Sequence, residues 1–228
     1  MKYYKLEYDL LNHKETGTQF QCVNGYFGDI QSAIFPMEGK IDFEFDLPEP
    51  ILENKAKPTT LLNAVFISNQ FLVFKDYFLD FLKKFNVGEH QTWKIKVHHN
   101  HNILSDYSLF SLSYPKQREL IDFKKSSFYL GKYSDHKYVG NDIIISDYDN
   151  YLSTLEVLKS GNDNFLKYKK IVLDLRSVQT DMFKLCIDPL GGYYVSEKLK
   201  TSIKEKRFTG ITFKEIEGIN NKIEVVYQ

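Results

Sequence analysis

Three groups of side chains have the types and spacing for chemistry. His98, His99 and His101 stand together with Asp106 close behind. Imidazoles ligate zinc, but adjacent histidines at a strand end point to opposite sides, and no Cys or His pair elsewhere completes a recognisable spacing. A polar turn following Trp93–Val97 is the better account. Asp135-His136 and Asp147-Tyr148-Asp149 hold the groups of an acid–base pair. Nothing in the sequence brings them to one cleft; a loop at Asp135-His136 and a helix cap at Asp147 explain them. The third group is acidic. Ile41-Asp42-Phe43-Glu44-Phe45-Asp46-Leu47 alternates strictly, so Asp42, Glu44 and Asp46 share one face of an expected half-buried strand. Glu49 and Glu53 continue it, and with Asp29 and Glu38 they make seven acids from Tyr26 to Glu53 against Lys40 alone. One reading is a docking surface for a basic partner, because complementary fields speed encounter. The other is a solvated face paired across a sheet with Lys94 and Lys96.

No Ser lies in a G-x-S-x-G elbow, and neither Cys has the local signature of a nucleophile. Gly191-Gly192 precedes a strand instead of opening a helix, which makes it a turn and not a phosphate cradle. Cys22 and Cys186 read as buried free thiols. The chain is expected to be no enzyme, to need no cofactor or metal, and to work by binding.

Bulk properties bound the alternatives. At 228 residues the chain can bury a sizeable core, and 15% aromatic residues argue for a folded, β-rich protein. Thirty basic and thirty acidic residues balance, so net charge gives no reason to bind nucleic acid or an anionic membrane. No stretch approaches the ~20 apolar residues of a membrane span, and the N-terminus lacks a signal core. A soluble cytoplasmic protein is expected.

The elements that must position these groups follow from periodicity. Residues 3–8 and 18–23 suggest short strands. Ser68 is placed to cap a helix running to Phe85, with Phe71, Phe74, Phe78, Phe81 and Phe85 on one face. Strands are expected at Trp93–Val97, Tyr107–Tyr114, Ile171–Leu175, Phe183–Ile187 and Ile223–Tyr227. A second helix spans about Tyr148–Lys159, capped by Asp147 and stopped by Ser160-Gly161-Asn162. In the C-terminal unit, strand Tyr193–Val195 leads to a helix capped by Ser196 and then to strand Ile211–Phe213. Lys198, Lys200, Lys204, Lys206 and Arg207 give this helix a basic face, either a docking surface or a solvated one. The strand–Ser–helix–strand pattern thus occurs twice, as a pseudo-repeat or by chance. The expected fold class is α+β: a mixed, mostly antiparallel sheet with a few helices. The expected organisation is a single domain over 1–228, with lobes 1–125 and 126–228 if the repeat is genuine.

The order of segments resembles a family of immunity proteins from bacterial polymorphic-toxin systems. The resemblance rests on Tyr3-Tyr4-Lys5-Leu6, Ile67-Ser68 and a Tyr107…Leu112 strand leading to Ile121-Asp122-Phe123-Lys124-Lys125-Ser126. Its most specific part is Tyr194-Val195-Ser196-Glu197-Lys198-Leu199-Lys200 with Thr209-Gly210-Ile211-Thr212-Phe213. The resemblance implies a cytoplasmic protein that binds a cognate secreted toxin domain and blocks it by stoichiometric occlusion. Inhibitors of nucleases are often acidic, and this neutral chain departs from that; only the stretch from Asp29 to Glu53 is. Candidate partner-binding residues are Asp42, Glu44, Asp46, Glu49 and Glu53, with Tyr133, Tyr138 or Tyr148 as aromatic anchors. The alternative is a non-catalytic adaptor or regulatory module without toxin linkage. An enzyme built on the histidine cluster ranks third.

Overall fold

The structure, a computed structural model, describes residues 1–17, 21–24, 35–36, 38–64, 70–159 and 163–227. Along the chain run β1 (Tyr3–Tyr8), α1 (His13–Thr16), β2 (Cys22–Asn24), β3 (Ile51–Leu52), β4 (Leu61–Leu62), β5 (Leu72–Lys75) and α2 (Asp76–Leu82). Next come β6 (His90–His99), β7 (Asn102–Leu112), α3 (Gln117–Leu120), β8 (Ser127–Lys132), β9 (Asp142–Ile143) and α4 (Tyr148–Lys159). The last elements are β10 (Asn164–Asp174), β11 (Met182–Leu185), β12 (Gly192–Ser196), α5 (Glu197–Glu205), β13 (Ile211–Glu215) and β14 (Ile223–Val226). The fold is α+β, with mostly antiparallel sheets. Two compact units alternate along the chain: Lys2–Pro115 with Gln179–Lys214, and Lys116–Val178 with Glu215–Gln228 and Met1.

The larger unit holds a six-stranded sheet, β2-β3-β6-β7-β5-β4, and a four-stranded sheet, β11-β12-β1-β13. The six-stranded sheet is apolar on both faces. Leu72 and Phe74 of β5 join Phe110, Leu112, Phe78, Leu199 and Val195 in one core. Val73, one residue out of phase, joins Leu109, Ile95, Val97 and Leu52 in the other. Period-two alternation carries both sets. Each fully buried Leu or Phe contributes ~1.5–3 kcal/mol, enough to decide local conformations.

One such decision overturns a sequence expectation. Leu72–Lys75 is a strand, paired with β7 (Leu72↔Phe110, Phe74↔Ser108) and with β4. The helix begins only at Asp76. Phenylalanines spaced by three and four fit a helix, yet Leu72-Val73-Phe74 also alternates, and pairing on two sides with both faces buried wins. Residues 65–69, including the expected cap Ser68, lie outside the described residues. So do residues 18–20 of the expected 18–23 strand and the Ser160-Gly161-Asn162 stop.

The C-terminal unit follows its sequence. Ser196 is the N-cap of α5, accepting from the Leu199 N–H at 3.1 Å. Its hydroxyl also donates to Asp181 at 2.7 Å. Asp181, 5% exposed, accepts from the Asn86 N–H through its other oxygen at 3.0 Å. One buried carboxylate thus joins the residues after α2 to the start of α5.

The smaller unit is the sheet β14-β10-β8-β9. Its one parallel pair is β10 with β14; β8 runs antiparallel to β10 and β9. Helix α4 begins where expected, with Asp147 accepting from the Asn150 N–H at 2.8 Å. Tyr148 and Tyr151 of α4 pack their rings on Phe123.

Candidate functional site

The acidic stretch is built differently from the expected strand. Residues 41–47 carry the expected alternation of burial, but they belong to no sheet. Ile41 is held instead by the Gln91 side chain of β6, which accepts from its N–H at 2.8 Å and donates to its carbonyl at 2.9 Å. Phe43, Phe45 and Leu47 are half-buried against the second core. The rings of Phe43 and Phe45 join an aromatic cluster: Phe35–Phe43 at 5.8 Å, Phe35–Phe45 at 5.0 Å and Phe45–Trp93 at 5.4 Å between centroids. Half-burial of three such side chains is worth ~2–4 kcal/mol in total, which holds the segment down without a ladder. The alternation in sequence thus reports a buried face, while strand pairing is a separate matter.

The five candidate acids divide into two sets. Asp42, Glu44 and Asp46 are exposed, and none makes an ion pair or hydrogen bond among the described residues. The proposed cross-strand pairing with Lys94 and Lys96 does not reach them. Lys94 pairs with Asp76, which also accepts from Ser108 at 2.7 Å. Lys96 goes to Glu49 at 3.7 Å, and His98 Nε2 stands 2.7 Å from the same carboxylate. The His98 hydrogen bond holds the Glu49 carboxyl below its ordinary range, with Lys96 adding to the effect. Glu53 is half-buried, its carboxylate turned against Gly17. The structure therefore assembles three neighbouring unpaired carboxylates and commits Glu49 and Glu53 elsewhere. Lys40, the one base of the stretch, is paired with Glu89 at 2.5 Å.

His98 and His99 extend β6 beyond the expected strand end at Val97, and of the three histidines only His101 lies in the turn. Asn100 and His101, with φ of 49° and 66°, make the two-residue connection of the β6–β7 hairpin, flanked by the His99↔Asn102 pair. Among the described residues no group of three or more His, Cys, Asp or Glu is placed to hold a metal ion. Asp135 accepts from the Lys137 N–H at 3.0 Å inside its loop, and Asp149 takes both oxygens to Arg118 at 3.0 and 2.9 Å. Cys22 is buried, and burial pushes its thiol up to about 12; Cys186 is half-buried and is raised for the same reason. Of the candidate aromatic anchors, Tyr133 and Tyr138 are 64% and 37% exposed. Tyr148 is 3% exposed with its hydroxyl bonded to Gln117 at 2.9 Å, so it belongs to the core. The basic face of α5 is partly occupied: Lys200 lies 3.1 Å over the Tyr4 ring and Lys198 stands 3.7 Å from Asp181.

Sequence reading missed a cavity at the end of β1, bordered by Leu6, Tyr8, Phe71, Leu72, Gly192 and Tyr193 among others. These residues come from three distant stretches, and the only local signal was the Gly191-Gly192 turn. No family model matches the chain, and no curated protein matches it.

Proposed function

We propose that this chain is an immunity protein that binds a cognate secreted toxin domain in the cytoplasm and neutralises it by stoichiometric occlusion. The observation that carries the reading is the row Asp42, Glu44, Asp46: three exposed carboxylates without partners among the described residues, on a segment held by apolar anchors. Alternate residues of an extended chain stand ~6.5–7 Å apart. Three like charges at that spacing repel one another, and a basic surface relieves the repulsion on binding. Such a row steers association and sets partner choice. It suits a toxin face that presents lysines or arginines, as a face built to grip phosphates or acidic substrates does. Half-buried anchors keep the row in place before binding, which lowers the ordering cost of the complex.

The test is co-expression with the toxin domain encoded beside this chain in a sensitive bacterial host, followed by kinetics on the purified complex. The unaltered chain is expected to rescue growth and to form a one-to-one complex. The triple variant Asp42→Asn, Glu44→Gln, Asp46→Asn is expected to slow association at least tenfold at low salt and to flatten its salt dependence, with unchanged circular dichroism. Rescue and association rate both within twofold of the unaltered chain would remove the acidic row from the mechanism.

A further inference from the structure

The outer edge of β6 lies beside the acidic row, and its backbone is unpaired. The turn at Asn100-His101 closes on the pair His99↔Asn102. From such a turn, bonded and non-bonded pairs alternate along an antiparallel ladder. His99, Val97, Ile95 and Trp93 therefore turn their N–H and C=O groups to β7, and His98, Lys96, Lys94 and Thr92 turn theirs away from it. His98 obeys this alternation: its N–H goes outward to the Pro50 carbonyl at 2.8 Å. Thr92, Lys94 and Lys96 are exposed, and the outward groups of their backbones make no hydrogen bond among the described residues.

The neighbouring stretch does not supply the missing strand. Ile41 meets β6 through the Gln91 side chain, so the two backbones stand a glutamine apart there, and Pro50 meets it at His98. Between these anchors no backbone bond joins the stretch to β6 among the described residues. The acidic row thus flanks an open sheet edge, which is a template for another strand. Exposed lysines on an edge ordinarily discourage such pairing. Here Lys94 is paired with Asp76 and Lys96 with Glu49. The three carboxylates of the row are left as the uncompensated charge beside the edge. Phe43, Phe45 and Leu47 pack on the opposite side, with Trp93, and all four are half-buried. A strand added to β6 sends alternate side chains to these two sides.

We infer that the edge Thr92–Lys96 receives a strand of the partner protein in which basic residues alternate with apolar ones. The basic side chains lie toward Asp42, Glu44 and Asp46, and the apolar ones toward Trp93, Phe43 and Phe45. The inference rests on the toxin-binding reading for the owner of that strand, and the strand site itself is tested without the toxin.

The probe is the end-blocked peptide Val-Lys-Val-Lys-Val-Lys-Val, titrated into the full chain and followed by amide chemical shifts. Saturable shifts are expected at Thr92, Lys94 and Lys96 with a Kd below ~1 mM, and the peptide with Glu in place of Lys is expected to bind at least tenfold more weakly. Two backbone-methylated forms separate a ladder from charge alone. One carries N-methyl groups on its lysines and the other on its valines, so each blocks one edge of the extended peptide. One form is expected to lose at least tenfold in affinity and the other to stay within threefold of the parent. The variant Asp42→Asn, Glu44→Gln, Asp46→Asn is expected to weaken the parent peptide at least fivefold at low salt. No saturable shift up to ~1 mM, equal affinity of the two methylated forms, or equal affinity of the Lys and Glu peptides would overturn the strand site, even where a toxin complex forms. Strand binding without rescue from the toxin encoded beside this chain would overturn the toxin reading and leave the strand site standing.

Discussion

Ser196→Ala removes one oxygen from a buried site and separates two roles of that oxygen. The hydroxyl accepts from the Leu199 N–H at 3.1 Å and donates to Asp181 at 2.7 Å. Ser196 is 0% exposed and Asp181 5% exposed, so water replaces neither bond. Loss of a cap costs ~1 kcal/mol. A buried carboxylate oxygen left without its donor costs a further ~1.5–3 kcal/mol. The expected destabilisation is therefore about 3 kcal/mol, or a fall in Tm of roughly 6–12 °C for a chain of this length. Urea unfolding followed by circular dichroism measures it, with Ser153→Ala as the control. Ser153 is exposed and donates only to the Asn150 carbonyl within α4, so its loss is expected to stay within ~0.5 kcal/mol. A Ser196→Ala cost below ~1 kcal/mol would mean that the cap alone was lost. The buried bond to Asp181, and with it the junction between the α2 end and α5, would then be refuted.

Two further perturbations test other parts of the structure. Gly210 has φ of +77°, and a Cβ there would lie 2.2 Å from the Leu61 carbonyl oxygen and 2.6 Å from Thr59 Oγ1. Gly210→Ala is expected to cost at least ~3 kcal/mol in urea unfolding, against ~1 kcal/mol for Gly39→Ala. Gly39 has φ of +96° with nothing within 4 Å, so the difference isolates the clash; equal costs would refute it. Asp174 is held at about 2, first by the Arg176 hydrogen bonds. A depressed carboxyl stabilises the fold above its unfolded value near 3.8, and that stability is lost as pH falls through about 2. Arg176→Ala is expected to move the carboxyl midpoint back toward 3.8 by carbon NMR and to flatten the acid limb of stability between those values. A midpoint that stays near 2 would refute the pairing.

Local signals made several parts of this protein legible in advance. Helix α5 was readable because Ser196 caps it and Thr209-Gly210 follows it within a few residues. Helix α4 was readable because Asp147 supplies the first-turn acceptor. The turn at Asn100-His101 was readable because hydrophobic alternation stops on both sides of a polar run. All of these are satisfied by neighbours a few residues away, so sequence alone contains the partners.

Elsewhere the partners are distant. Leu72–Lys75 took strand form because β7 and β4 are there to pair with it. Ile41–Leu47 buried the expected face yet formed no ladder, because a glutamine side chain and an aromatic cluster hold it. The composition of that stretch determined that Asp42, Glu44 and Asp46 face outward. Tertiary structure decided that Lys94 and Lys96 go to Asp76 and Glu49, and so which carboxylates stay unpaired among the described residues. The cavity beside β1 joins Leu6, Phe71 and Tyr193 from three stretches of chain. Hydrophobic periodicity records which side of an element is buried; it does not record what lies against it, because burial is non-directional and long-range pairing is not.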